Sequence, residues 1–237
     1  MFKRAVILAG GKGTRLLPYT VVFPKPLMPV GDYPILEVII RQLAKQGFHR
    51  ITFAVNHQAE LIRSFFGSGI KWGVKIDYSL EDKALGTIGP LCLIKDLPEN
   101  FLVMNGDILT DLNFTRFYKK HCLQKNLFTI CSHARTHTLD YGLLNINKNG
   151  VLTNFQEKPK TTFQVSMGIY MLNKKVLHYV PKGKPYGFDD LLKKLIKDNK
   201  IVNVDLFKGI WYDIGRPDDF AVAADTFQKQ KAKILGE

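Results

Sequence analysis

An apolar run near the start of this 237-residue chain leads straight into a glycine-rich segment, Leu8-Ala9-Gly10-Gly11-Lys12-Gly13-Thr14-Arg15-Leu16. Ten residues beyond Arg15, Lys25 stands between Pro24 and Pro26. Glycines let backbone N–H groups come close to phosphate oxygens. An arginine adds a forked grip on phosphate, and a proline-clamped lysine adds a point charge. The chemistry suggested is the wrapping of a polyphosphate. Two common glycine motifs do not fit. No glycine is placed to complete the P-loop pattern G-x-x-x-x-G-K-[ST], and counting from Gly11 and Gly13 a dinucleotide fingerprint would need glycine where Leu16 stands.

Other residues of chemical interest are spread along the chain. Asn105-Gly106-Asp107 follows the apolar run Phe101 to Met104, although an isolated Asn-Gly-Asp is also an ordinary turn. Asp213 lies in Trp211-Tyr212-Asp213-Ile214-Gly215, an acid in an apolar strand. An unpaired charge is costly there, and a metal or a basic partner would explain it. Glu157-Lys158-Pro159, taken alone, reads as a surface ion pair or turn, and Gly142 and Gly168 as bulges or tight strand packing. Cys131, His133 and His137 suggest a zinc site only superficially. Alternation puts the first two on one strand face, Leu127 to His133, whereas His137 is expected beyond the strand in a polar turn.

These groups need a scaffold. Arg4 to Leu8 reads as a buried strand. Asp32 is read as an N-cap with Pro34 just inside a helix that carries Leu36, Ile39, Ile40 and Leu43 and stops at Gly47. Ile51 to Val55, Val74 to Tyr78 and Phe101 to Met104 read as strands, with a helix at Ala59 to Phe66 and a helix start at Leu85-Gly86-Thr87. This alternation predicts a Rossmann-like mixed, mostly parallel sheet with helices on both faces. The second half differs: Asn126 to Ser132, Tyr141 to Ile146, Val151 to Glu157 and Val165 to Leu172 are strand-like with few helices between them, a more antiparallel portion. Phe188 to Lys197 reads as a helix, Val202 to Leu206 and Ile210 to Tyr212 as strands, and a final helix starts near Pro217. In such sheets ligands bind beyond the C-terminal strand ends, where the glycine loop and Asp107 both fall.

The composition, 46% hydrophobic without a Gly/Ser linker or repeat, predicts one domain over 1–237. Neither a signal-peptide core nor a membrane span is expected. Three cysteines without CxxC spacing suit a reducing cytoplasm. The formal net charge of +13 suits nucleic acid, a membrane surface or anionic small molecules. The basic residues are spread out, and no nucleic-acid-binding motif is present, so neither nucleic acid nor membrane is expected as a partner.

With the remaining motifs included, the chain resembles the sugar-1-phosphate nucleotidyltransferases. Their hallmark is an N-terminal G-G-x-G-T-R-L loop followed by P-K-P. Here these are followed in order by Leu85-Gly86-Thr87-Ile88-Gly89-Pro90-Leu91, Asn105-Gly106-Asp107, Glu157-Lys158-Pro159, Met167-Gly168-Ile169-Tyr170 and Trp211-Tyr212-Asp213-Ile214-Gly215. The resemblance implies transfer of a nucleotidyl group from a nucleoside triphosphate to a sugar-1-phosphate, with release of pyrophosphate. It implies nucleotide contacts from Leu8, Gly10, Gly11, Gly13, Thr14, Gly86 and Thr87, and Arg15 on the β- and γ-phosphates. Lys25 is implied at the reaction centre, with Asp107 and Asp213 holding Mg²⁺. Sugar-phosphate contacts are implied for Gly142, Glu157, Lys158 and Gly168, with residues 1–110 mainly the nucleotide half and 111–237 mainly the sugar-phosphate half. Ser166 stands where many relatives carry Asn, which bears on the sugar contacts. Gly89-Pro90-Leu91 most resembles the mannose-1-phosphate guanylyltransferases and points to GTP. The alternatives are a uridylyl- or cytidylyltransferase acting on another sugar phosphate, or a non-catalytic nucleotide-sugar-binding regulatory subunit. Acetyl transfer is not expected, since nothing resembles the C-terminal β-helix of longer relatives. A homodimer is open.

Overall fold

The computed structural model describes residues 3–11, 13, 16, 20, 23–56 and 58–236. Thr14 and Arg15 lie outside the described residues. Strand β1 (Arg4–Leu8) is followed by a 3-10 turn at Lys25–Leu27 and a small hairpin of β2 (Pro29–Val30) and β3 (Tyr33–Pro34). Helix α1 (Ile35–Lys45), β4 (Arg50–Val55), α2 (Ala59–Phe66), β5 (Lys75–Leu80), β6 (Asn100–Asn105) and β7 (Ile108–Thr110) complete the first half. The second half holds α3 (Phe114–Leu123), β8 (Phe128–Thr138), β9 (Leu143–Ile146), β10 (Leu152–Gln156) and β11 (Lys160–Asn173). Then come α4 (Phe188–Lys197), β12 (Asn203–Phe207), β13 (Trp211–Asp213) and α5 (Pro217–Leu235).

Seven strands form one sheet in the order β12-β8-β11-β6-β1-β4-β5. β5, β4, β1 and β6 run parallel, β11 is antiparallel to both β6 and β8, and β12 is parallel to β8. This is the expected mixed, mostly parallel α/β sheet, with its one antiparallel strand, β11, contributed by the second half. Side chains alternate across β1. Ala5 and Ile7 enter a core with residues of α1, α2, α3 and α5, while Val6 enters a second core with Phe188, Leu191 and Leu195 of α4. Helices therefore cover both faces, and the central strands β1, β4 and β6 are mostly apolar, as expected of strands covered on both sides.

Several boundaries depart from the sequence reading. Helix α1 starts at Ile35, with Pro34 rather than Asp32 at the N-cap position. The pairing Val30↔Tyr33 puts Asp32 at the tip of the β2–β3 turn, out of reach of the helix. Gly47, at φ +82°, ends α1 as expected, and its amide donates to Ala44 O at 3.0 Å. Helix α3 was not legible: Asn113 caps it by accepting from the Arg116 amide at 2.8 Å, and it buries Phe114, Phe117, Tyr118 and His121 at helical spacing. β8 continues to Thr138, so His137 lies inside the strand and pairs with Thr161. That polar extension is held by its ladder with β11 rather than by burial, so hydrophobic alternation could not reveal it. His133 Nε2 donates to Gly209 O at 3.0 Å, and burial pushes the Cys131 thiol up to about 12. Among the described residues no group of three or more His, Cys, Asp or Glu is arranged to hold a metal ion.

His121 is 1% exposed and wedged between Thr129 Oγ1 (2.8 Å) and Asn100 Oδ1 (3.3 Å). Burial pulls its pKa from 6.5 down to about 4. The unfolded chain therefore binds a proton more readily than the folded one between those values, and the imidazole's contribution to stability is lost as pH falls through that window. Guanidinium unfolding should show the wild type losing about 2 kcal/mol between pH 7 and pH 5 from this group. His121→Gln should flatten that difference; an equal pH dependence in both proteins would remove His121 as its source.

Candidate active site

The C-terminal ends of β1, β4, β5 and β6 open onto one crevice of roughly 400 Å³. Its lining includes Leu8, Gly10, Gly11, Lys25, Gly86, Thr87 and Asp107, which the sequence marks as candidates, Asn105 of the Asn105-Gly106-Asp107 motif, and Asn56 and Glu81, which the sequence does not mark. Gly10 leaves little room for a side chain: a Cβ there would lie 3.3 Å from both Asn56 Nδ2 and Glu81 Oε1. Gly11 has open space around it, and Gly13, at φ +65°, offers a carbonyl that accepts from Thr20 Oγ1 at 2.7 Å. Gly106 lets the β6–β7 corner close onto β1, its amide donating to Leu8 O at 3.0 Å.

At one end of the crevice three charged side chains meet. The Lys25 Nζ pairs with Asp107 Oδ2 and lies 3.8 Å from Asp213 Oδ1. The lysine is placed by its prolines: Pro24 O accepts from the Leu27 amide at 2.8 Å, closing the turn that carries Lys25. Asp107 sits on the corner between β6 and β7, and Asp213 on β13, which pairs antiparallel with β7 in the register Asp213↔Ile108. Asp107 is 5% exposed. Burial pushes its carboxyl above the usual carboxylate range, the Lys25 ammonium opposes that, and the nearby Asp213 carboxylate adds to it. Two hard oxygen donors of this kind could hold Mg²⁺, which typically takes one or two protein carboxylates and completes its sphere with phosphate oxygen and water.

Leu85-Gly86-Thr87 does not open an α-helix; it forms turns ahead of a 3-10 helix at Gly89–Leu93. The reason is that its backbone is committed elsewhere. The Leu85 amide donates to Glu81 Oε2 at 3.0 Å, Leu85 O accepts from the Tyr186 amide at 2.9 Å, and Gly86 sits at φ +78°. A Cβ on Gly86 would lie 2.5 Å from Tyr186 O. Thr87 Oγ1 accepts from the Phe188 amide at 3.0 Å, so this loop of the first half is stitched to the approach of α4 in the second.

The candidates from the second half are placed differently. Gly168, at φ +70°, occupies the register break between Ser166 and Tyr170 and packs on Asn105, whose amide nitrogen would be 2.6 Å from a Cβ there. That brings it beside a crevice-lining residue. Gly142 packs on the Phe155 ring, with Glu157 Oε2 3.4 Å from where its Cβ would be. Lys158, at φ +44°, forms an exposed ion pair with Asp140 at 2.8 Å, the surface reading of Glu-Lys-Pro. Gly142, Glu157 and Lys158 do not line the crevice. Arg135 and Asp219, which hold the strand of Asp213, were also missed; an acid in the first turn of a helix is ordinary, so nothing in the sequence marked it.

The fold is shared with known proteins. A crystal structure of a putative glucose-1-phosphate thymidylyltransferase from Bacillus anthracis superposes with a TM-score of 0.76 at 26% identity, covering 94% of each chain. The UTP–glucose-1-phosphate uridylyltransferase of Synechocystis is 35% identical over 92% of this chain and 61% of its own length. The mannose-1-phosphate guanylyltransferase catalytic subunit beta of Drosophila melanogaster is 33% identical over 98% and 66% respectively. This chain thus spans less than two thirds of the length of those two relatives. The nucleotidyl transferase family profile matches residues 4–230, and the chain belongs to that family.

Gly215 leaves the room that the charged corner occupies: a Cβ there would overlap the Lys25 amine and come 2.9 Å from Asp107 Oδ2. Gly215→Ala should push the flexible lysine aside and spare the fold. Turnover should fall on the order of 10²-fold, the cost of misplacing a reacting group by about 1 Å, with an unchanged circular dichroism spectrum. Wild-type turnover would show that the Lys25–Asp107 contact is dispensable.

Proposed function

We propose that this protein transfers a nucleotidyl group from a nucleoside triphosphate to a sugar-1-phosphate, giving a nucleotide-sugar and pyrophosphate. The observation that carries this reading is the Lys25–Asp107–Asp213 corner at the end of a glycine-walled crevice. A phosphate monoester is largely dianionic at neutral pH, its second pKa being about 6, so the nucleophile needs no general base. The work left to the protein is alignment and charge compensation. The Lys25 ammonium meets the phosphate at the reaction centre, and the crevice glycines bring backbone amides to the nucleotide. Arg15 reaches the β- and γ-phosphates and favours the departure of pyrophosphate. Asp107 and Asp213 hold Mg²⁺ through carboxylate oxygen, and when bound the ion offsets negative charge on the phosphates and polarises the bonds to phosphorus.

GTP and mannose-1-phosphate, or a related sugar phosphate, are our choice of substrates. The Drosophila relative, named a mannose-1-phosphate guanylyltransferase, supports this. The Synechocystis relative, named a uridylyltransferase, favours UTP instead. Residues 1–110 serve mainly the nucleotide and 111–237 mainly the sugar phosphate, with Glu157 reading sugar hydroxyls and Lys158 the sugar's phosphate. Three free cysteines support action in a reducing cytoplasm, with the product feeding polysaccharide synthesis. No helix among the described residues is long and apolar enough to cross a membrane.

A panel of nucleoside triphosphates against sugar-1-phosphates, read by pyrophosphate release, tests the reaction and ranks the base and sugar. Pyrophosphate release should stop with EDTA and nearly stop in Asp107→Asn; full activity of that variant at saturating substrates would remove Asp107 from the site. The division between halves has its own test by calorimetry on each substrate alone. Lys158→Ala deletes a cation opposite a dianion and should weaken sugar-phosphate binding by about 1.5–3 kcal/mol, with nucleotide binding nearly intact. The opposite pattern would withdraw the sugar-site assignment.

A further inference from the structure

Asp213 is held through its backbone as well as its side chain. It ends a three-residue strand whose ladder partner is the equally short β7, and such a two-stranded ribbon is weak by itself. Its amide donates to Asp219 Oδ2 at 2.8 Å. Asp219 lies in the first turn of α5, where a carboxylate is favoured by the helix dipole, and its side chain is only 7% exposed. Both of its oxygens are gripped in a fork by Arg135 of β8, Nη1 to Oδ1 at 2.9 Å and Nη2 to Oδ2. The Arg135 guanidinium also lies 4.6 Å from the Trp211 ring centre, and Trp211 Nε1 donates to Met167 O at 3.2 Å, beside the β11 break at Gly168.

We propose that Asp219, neutralised and oriented by Arg135, is a positioning residue that sets the end of β13 so that the Asp213 carboxylate faces Lys25 and Asp107. The assignment rests on the nucleotidyl-transfer reading above. A further carboxylate beside Asp213 would add repulsion, and the Arg135 fork offsets it. What remains at Asp219 is a fixed acceptor for one amide. Because Arg135 belongs to β8 and Trp211 is tied to β11, the clamp makes the position of Asp213 depend on the strands of the second half.

The test compares Asp219→Ala with Asp219→Asn, whose amide oxygen can still accept from the Asp213 amide although the charged fork is lost. Rates are normalised to folded enzyme. Asp219→Ala should lower kcat on the order of 10²-fold, as for other misplacements of a reacting group, with KM for both substrates little changed and faster hydrogen exchange at the Asp213 amide. Asp219→Asn should recover most of kcat and of the exchange protection while its melting temperature stays below wild type, since the Arg135 pairing is gone. Wild-type kcat in Asp219→Ala would overturn the proposal, as would an Asp219→Asn variant that is as slow as Asp219→Ala. A wild-type protein that releases pyrophosphate from no substrate pair would instead defeat the transfer reading. The Asp213 exchange rates would then decide by themselves whether Asp219 holds that strand end.

Discussion

The pairing of Lys25 with a nearly fully buried Asp107 is the constraint around which the rest is arranged. A carboxyl removed from water resists ionisation, and here a second carboxylate, Asp213, stands nearby, with the Lys25 ammonium close to both. Such a corner exists only if each member is prevented from relaxing away from the others. The prolines around Lys25, the tight approach of Gly106 to β1, the β7–β13 ribbon and the absence of a side chain at Gly215 each remove one route of escape. The acidic pair is a local exception in a protein of net charge +13.

The parallel strands supply the other half of the design. Their C-terminal ends leave a crevice whose lining includes Gly10, Gly11, Gly86 and Gly106. Gly10 and Gly86 keep that lining thin, Gly10 against Asn56 and Glu81, Gly86 against the Tyr186 backbone. The crevice lining combines the charged Lys25, Glu81 and Asp107 with the uncharged Ala84, Gly86, Thr87 and Pro90.

The two halves of the chain are not independent bodies strung together. β11 inserts between β6 and β8, so the sheet itself crosses from one half to the other. The Leu85–Thr87 loop is bonded to Tyr186 and Phe188, and Trp211 to Met167. Interactions of this kind let a residue of β8 such as Arg135 bear on the placement of Asp213 through Asp219.

What the sequence determined by itself was local or rhythmic. Apolar runs marked β1, β4 and β6, helical spacing marked α1, α2 and α4, and Pro217 marked the start of α5, because burial on a sheet or helix face imposes a period that the residues must carry. The glycine loop, Lys25, Asp107 and Asp213 were legible because their residue types are costly or conformationally special where they stand. The tertiary structure alone decided which of these meet, since Lys25, Asp107 and Asp213 are joined by pairing between distant strands. It also decided that Leu85-Gly86-Thr87 gives its backbone bonds to Tyr186 instead of a helix, that polar β8 runs on to Thr138 along β11, and that α3, with its mixed surface, is a helix at all. Glu81, Arg135 and Asp219 carried no signal in one dimension. Their roles come from partners 4, 84 and 6 residues away, set by hydrogen bonds that no periodicity encodes.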